Sequence, residues 1–93
     1  MVSQVHAFHI LVKTEAEAKQ LAEDLKTGAD FTRIAQMKSI CPSAKRGGDL
    51  GWFGRGKMVR EFENAAFGLK PNQISAPIKT EFGWHVIKVI EAK

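Results

Sequence analysis

A second cysteine is missing from this chain of 93 residues, and with it any internal disulfide. The lone Cys41 is a free thiol, which fits a reducing compartment, so a cytoplasmic location is expected. Long apolar runs are missing too. The longest, around Ile10 to Val12, falls far short of the ~20 residues that cross a bilayer, so no membrane partner is expected. Met1 to Gln4 leads directly into strand-like sequence instead of a basic segment and an apolar stretch, so no secretory leader is expected within these residues. Repeats, low-complexity tracts and linkers are absent, and residues 1–93 are expected to form one domain that buries roughly 60–65% of the surface of its unfolded chain. A hydrophobic content of 44% with 26% charged residues argues against disorder.

Charge is present with one sign in excess. The net charge is +4, and Lys45, Arg46, Arg55, Lys57 and Arg60 concentrate it in the middle of the chain. No helix carries a basic stripe and no nucleic-acid-binding module is recognisable. The cluster therefore reads as a solvated face with weak attraction for polyanions, and no specific nucleic-acid partner is expected.

Val5 to Val12 is dense in Val, Ile, Phe and Leu and predicts a strand. One of its faces carries Val5, Ala7, His9 and Leu11, the other His6, Phe8, Ile10 and Val12; with neither face clearly polar, the strand belongs inside a sheet. Thr14 with Glu17 three residues on is a capping-box signature, and Ala18, Leu21, Ala22 and Leu25 follow at helical spacing up to Gly28. A helix over Glu15 to Thr27 is predicted. Asp30 caps a second, shorter helix with an apolar face of Phe31, Ile34 and Ala35, to which Met37 and the stem of Lys38 are candidate additions, ending near Ser39 because Pro42 holds Cys41 out of the α region. Cys41 is then part of an extended connector. Asp49 to Phe53 reads as a short strand, and Phe62, Ala65, Ala66 and Leu69 as the stripe of a third helix closing around Gly68. Lys70 to Gln73 is a turn. Ile74 to Thr80 is extended but broken by Pro77, which confines it to a sheet edge or to two very short strands. Trp84 to Glu91 is the second strong strand. The order β-α-α-β-α-β-β defines an α+β domain with the first and last strands as its central pair.

The stretch from Cys41 to Phe62 holds five of the eight glycines, with apolar residues between them that include Trp52. Glycines grouped this way shape a surface, and the apolar residues between the turns are expected to line a concavity that binds a ligand. Gly51 to Lys57 imitates part of a phosphate-binding loop, but Met58 stands where a Ser or Thr must reach the metal, which excludes that function. His9 and His85 fall on the two strong strands and meet if those strands pair. Zinc would need Cys41 as its third ligand with no further Cys, close-spaced His pair or nearby carboxylate, so no metal site is expected. A Cys-His nucleophile pair would want an orienting Asn or Asp and an oxyanion hole, neither of which the sequence names.

Four segments carry a resemblance: Phe-His-Ile-Leu-Val-Lys at 8 to 13, Ser-Ala-Lys-Arg-Gly-Gly-Asp-Leu-Gly at 43 to 51, Phe-Gly-Arg-Gly-Lys-Met-Val at 53 to 59 and Phe-Gly-Trp-His-Val-Ile-Lys at 82 to 88. In order and over nearly the whole chain, they resemble the parvulin-type peptidyl-prolyl cis/trans isomerases, in particular the small free-standing bacterial and archaeal members. The resemblance implies a four-stranded antiparallel sheet surrounded by helices, and a monomer acting on proline-containing peptides and on unfolded or folding protein chains. It implies an active site of His9, Cys41 and His85, with Thr80 in the histidines' hydrogen-bond network. It further implies that Leu50, Met58 and Phe62 grip the proline ring, with Phe82 as a further pocket wall. Glu61 departs from the family, which commonly has Pro before that Phe at the start of the third helix.

Rotation about an X-Pro bond breaks no bond and needs no cofactor. The competing function is a module that holds proline-containing segments, in the manner of a chaperone, without turning them over.

Overall fold

The computed structural model describes residues 2–93. Its elements are β1 (Gln4–Val12), α1 (Glu15–Lys26), α2 (Phe31–Lys38), a 3-10 turn (Pro42–Arg46), β2 (Asp49–Gly54), α3 (Arg60–Phe67), β3 (Ile78–Thr80) and β4 (Gly83–Ala92). The strands form one antiparallel sheet in the order β2-β1-β4-β3. The two apolar strands, β1 and β4, are the central pair, because only an interior strand covered on both faces can bury residues of both parities.

Strand alternation divides the core in two. Ile10, Val12 and Val86 face α1 and α2, where they meet Ala18, Leu21, Ala22, Leu25, Phe31 and Ala35. Val5, Ala7, Ile87 and Val89 face the other way and pack with Phe53, Phe62 and Ala66. Ile10 and Ile87 are fully buried, one on each face, and each contributes roughly 1.5–3 kcal/mol by leaving water. His9 and His85 share the parity of the second set, which puts both imidazoles on the α3 side of the sheet.

Local chemistry sets the helix ends. The Thr14 hydroxyl accepts from the amide of Glu17 at 3.2 Å and starts α1, and Gly28 takes φ +112 just beyond its end. Asp30 accepts from Arg33 N at 3.4 Å and starts α2. The absence of Pro at position 61 does not move α3, which begins at Arg60 with Glu61 and Glu63 in its first turn, where the helix dipole favours negative charge.

Four expectations need correction. Met37 is 69% exposed and lies outside the apolar face of α2, which is Phe31 and Ala35 with Ile34 half-buried. The connector is extended at Ser39 and Cys41 but does not stay so; the next five residues form the 3-10 turn, closed by Gly47 at φ +68. Leu69 lies past the end of α3, although it still packs on the α3 side of the core. Trp52 does not line the concavity. A bulge in β2 sets Asp49 opposite Phe8 and Trp52 opposite His6, so Leu50 and Gly51 together face the single residue Ala7, and this one extra residue breaks the alternation. With Gly51 at φ +72, Leu50 turns to the α3 side while Trp52 stays beside His6, under the ammonium of Lys93.

Gly48 ties this region to the site. Its carbonyl accepts from the amide of His9 at 2.9 Å, its own amide donates to Ser43 O at 2.9 Å, and a Cβ at its φ of +88 would collide with the His9 carbonyl oxygen. Gly51 also has positive φ, but a Cβ there meets nothing. Gly48→Ala should therefore cost about 2–5 kcal/mol, the left-handed penalty plus overpacking, against about 1–2 kcal/mol for Gly51→Ala. Urea unfolding of the two variants measures this; equal losses would show that the close approach at Gly48 contributes nothing.

Candidate active site

β1 and β4 pair with Leu11 opposite His85 and His9 opposite Ile87, so the two histidines are diagonal neighbours on one face. Their Nδ1 atoms are 3.0 Å apart and the rings stack with centroids 5.2 Å apart. Phe62 of α3 lies edge-on to both, at 5.4 Å from His9 and 5.2 Å from His85. On the far side of His85, Thr80 Oγ1 is 2.7 Å from Nε2 and also accepts from the amide of Phe82 at 3.1 Å.

These contacts settle the protons. Thr80 Oγ1 already accepts one hydrogen bond, and its hydroxyl hydrogen finds its acceptor in His85 Nε2. A neutral His85 then carries its hydrogen on Nδ1 and donates to Nδ1 of His9, whose own hydrogen is on Nε2. That Nε2 is buried and has no partner among the described residues. The reverse arrangement would leave the Thr80 hydrogen without an acceptor as well. Burial lowers the pKa of His85 to about 4; burial, then repulsion from His85, lowers that of His9 to about 4. The pair is neutral at physiological pH.

This neutral pair forms part of the wall of a cavity of about 480 Å³. Leu50, Met58, Phe62 and Phe82 all line it, as does Cys41, which the extended backbone before Pro42 delivers to its edge. Thr80 does not line it and touches it only through His85. Phe82 is 61% exposed, so it forms a lip rather than an inner wall. Pro42 and Val59, apolar residues of the Cys41 to Phe62 stretch, also line the cavity, and so do Leu11, Ile40 and Lys57, which were not anticipated. Leu11 was within reach, since it follows His9 at strand spacing.

The turn between β2 and α3 is held by a carboxylate that the sequence did not single out. Glu63 accepts from the amide of Gly56 through Oε1 at 2.5 Å and pairs with Arg55 through Oε2 at 3.3 Å. The Arg55 guanidinium also covers the ring of Phe67 at 4.4 Å. Lys57 and Met58 are thereby presented to the cavity from a turn pinned to α3. No group of three or more His, Cys, Asp or Glu among the described residues is arranged to hold a metal ion.

A rigid apolar cup closed on one side by uncharged imidazoles is suited to an apolar ring attached to a neutral polar group, as in a prolyl peptide. Residues 5–91 match the rotamase family described as the PPIC-type PPIase domain, and the chain belongs to that family. It is 52% identical over 89 residues to the foldase protein PrsA of Geobacillus sp. strain WCH70, an alignment covering 95% of this chain and 32% of that protein. The crystal structure of the peptidylprolyl isomerase PrsA from Bacillus anthracis superposes with a TM-score of 0.96 at 44% identity, over 99% of this chain and 43% of that one. Pin from the psychrophilic archaeon Cenarcheaum symbiosum gives 0.88 at 50% identity, over 98% of this chain and 95% of that one. The chain spans about a third of the length of the PrsA relatives it matches. As the resemblance implied, the four-stranded antiparallel sheet with its helices is the parvulin fold, and the chain is a peptidyl-prolyl isomerase domain.

The two lowered pKa values predict a pH dependence of stability. Folded, both imidazoles take up protons near pH 4; unfolded, near 6.5. The unfolded state thus binds protons first as pH falls. Stability is complete above pH 6.5 and declines as pH falls from about 6.5 toward 4, by several kcal/mol at most at ~1.4 kcal/mol per pKa unit. Unfolding free energies at pH 7 and pH 5 should differ measurably, in a range where most carboxylates have not yet titrated. A flat profile over that interval would contradict a buried neutral pair.

Proposed function

We propose that this chain, residues 1–93 acting as one catalytic unit, accelerates cis/trans rotation about X-Pro bonds in peptides and in unfolded or folding protein chains. The observation that carries the proposal is the meeting, in one cavity, of the apolar residues Leu50, Met58 and Phe62 with the neutral His9–His85 pair. The barrier to rotation is about 18–20 kcal/mol and arises from amide resonance. Resonance is lost at the twisted state, where the imide nitrogen gains basicity and the carbonyl loses part of its polarity. A surrounding of low polarity therefore stabilises the twisted state relative to the planar ones. Leu50, Met58 and Phe62 hold the ring, Phe82 closes one side, and the carbonyl half turns past His9, His85 and Cys41. Thr80 fixes the tautomer of His85. Lowering the barrier by ~5–7 kcal/mol gives roughly 10⁴- to 10⁵-fold acceleration, within reach of positioning and polarity without a covalent step.

Cys41 acts through its polarity in this scheme, because bond rotation needs no acyl transfer. A phosphorylated residue before proline is not required: Lys13 is the sole basic residue between β1 and α1, and Glu15 and Glu17 bring negative charge to the same end. The proposed unit is a monomer, a reading supported by a cavity whose described lining comes from one chain. The cytoplasmic setting is a proposal carried by the free thiol alone, and the relatives add no support to it. A second activity, holding proline-containing segments without turnover, is favoured by the exposed Ile40 and Phe82 at the cavity mouth, 51% and 61% exposed, which extend apolar contact beyond one ring.

Exchange spectroscopy on short X-Pro peptides, with the protein far below peptide concentration, should show accelerated exchange that a chelator does not change. Shifted peptide signals without accelerated exchange would leave only the holding activity. Cys41→Ser and Cys41→Asp should both retain turnover, and complete inactivity of both folded variants would sink the noncovalent role. Peptides differing only in Ser or phosphoserine before proline should react within tenfold of each other.

A further inference from the structure

Lys57 is the one charged residue among those lining the cavity; the rest are apolar side chains, Cys41 and the two neutral imidazoles. Among the described residues no Asp or Glu lines the cavity, and no carboxylate lies within ion-pair distance of the Lys57 ammonium. Glu63, whose contacts hold the same turn, is already engaged by Gly56 N and Arg55, and Arg55 is further occupied by the ring of Phe67. The same contacts fix the turn that carries Lys57. The side chain is exposed, and it neighbours Met58 in sequence.

We propose that Lys57 gives the isomerase a preference for substrates with a carboxylate one or two residues from the proline; the proposal rests on the isomerase function above. A lysine side chain spans about 6 Å, close to the length of two extended residues at ~3.3 Å each. From a position beside the ring-gripping Met58, the ammonium therefore reaches past the proline to its near neighbours and not farther along the peptide. A single point charge, without the planar fork of an arginine or a second cation, suits a singly charged Asp or Glu side chain. Because the site is open to water, the effect is that of an exposed ion pair: about two- to fivefold in kcat/KM at low salt, declining as salt screens it.

The test uses neutral peptides of one background with Glu, Gln or Lys placed in turn at each of the two positions on either side of the proline, and at one position six residues away. At low salt, wild-type protein should prefer Glu over Gln over Lys at one or more near positions and show no preference at the distant one. Lys57→Gln should erase the preference and Lys57→Glu should invert it, whereas Lys19→Gln, the same charge change on an exposed face of α1, should leave it intact. A preference that survives both Lys57 substitutions, that is equal at the distant position, or that is missing from the wild type overturns the proposal. Turnover of the Gln peptides separates the two levels. If they are isomerised but charge makes no difference, only the role of Lys57 fails; if no peptide is isomerised by folded wild-type protein, the isomerase function itself fails.

Discussion

The hydrogen bond between the Nδ1 atoms of His9 and His85 joins the two central strands on the face where the cavity forms, and the site depends on it. Burial opposes charging either imidazole, and a charged His85 further opposes charging His9. The pair therefore works as a neutral relay whose direction is set from outside by the Thr80 hydroxyl, itself fixed by the amide of Phe82. The chemical consequence is a wall that is polar but uncharged. In the proposed mechanism a charged wall would favour the planar, more dipolar amide, whereas an uncharged one penalises the twisted state less.

Everything else in the fold keeps that wall in place and puts an apolar wall opposite. The division of the core allows this: α1 and α2 cover one face of the sheet without touching the site, and α3 covers the other and supplies Phe62 against both imidazoles. The glycines between β1 and α3 have specific duties. Gly48 brings its backbone against His9, and Gly51 lets β2 bulge so that Leu50 reaches the cavity. Glu63 ties the turn at Arg55 and Gly56 back to α3, and Lys57 and Met58 follow directly from that turn.

Much of this was legible in the amino-acid sequence where a feature is local and strong. The β-branched density of β1 and β4 identified the central strands, and the Thr14 to Glu17 box and the Asp30 cap marked two helix starts. The resemblance over four segments then named eight site residues. The structure brings His9, Cys41, His85, Leu50, Met58, Phe62 and Phe82 around one cavity and sets Thr80 behind His85. What was not legible depended on geometry that composition does not encode. The 3-10 turn after Cys41 is too short for its period to show. Trp52 was set on the wrong side because one bulged residue reverses parity for the rest of a strand. Lys57 and Glu63 looked like ordinary surface charges, since their significance lies in a turn folding back onto a helix several residues later. A single cysteine, finally, reports only that no internal disulfide exists, which is thin support for a compartment.

The central claim, that the site is a neutral and directional histidine pair, is tested most directly by nitrogen-15 NMR of the two imidazoles. At pH 7 both rings should be neutral and in opposite tautomers, hydrogen on Nδ1 in His85 and on Nε2 in His9, and the signals should hold unchanged until the pH falls toward the titration near 4. Two rings in the same tautomer, or either ring titrating near the ordinary histidine value of about 6.5, would contradict the account.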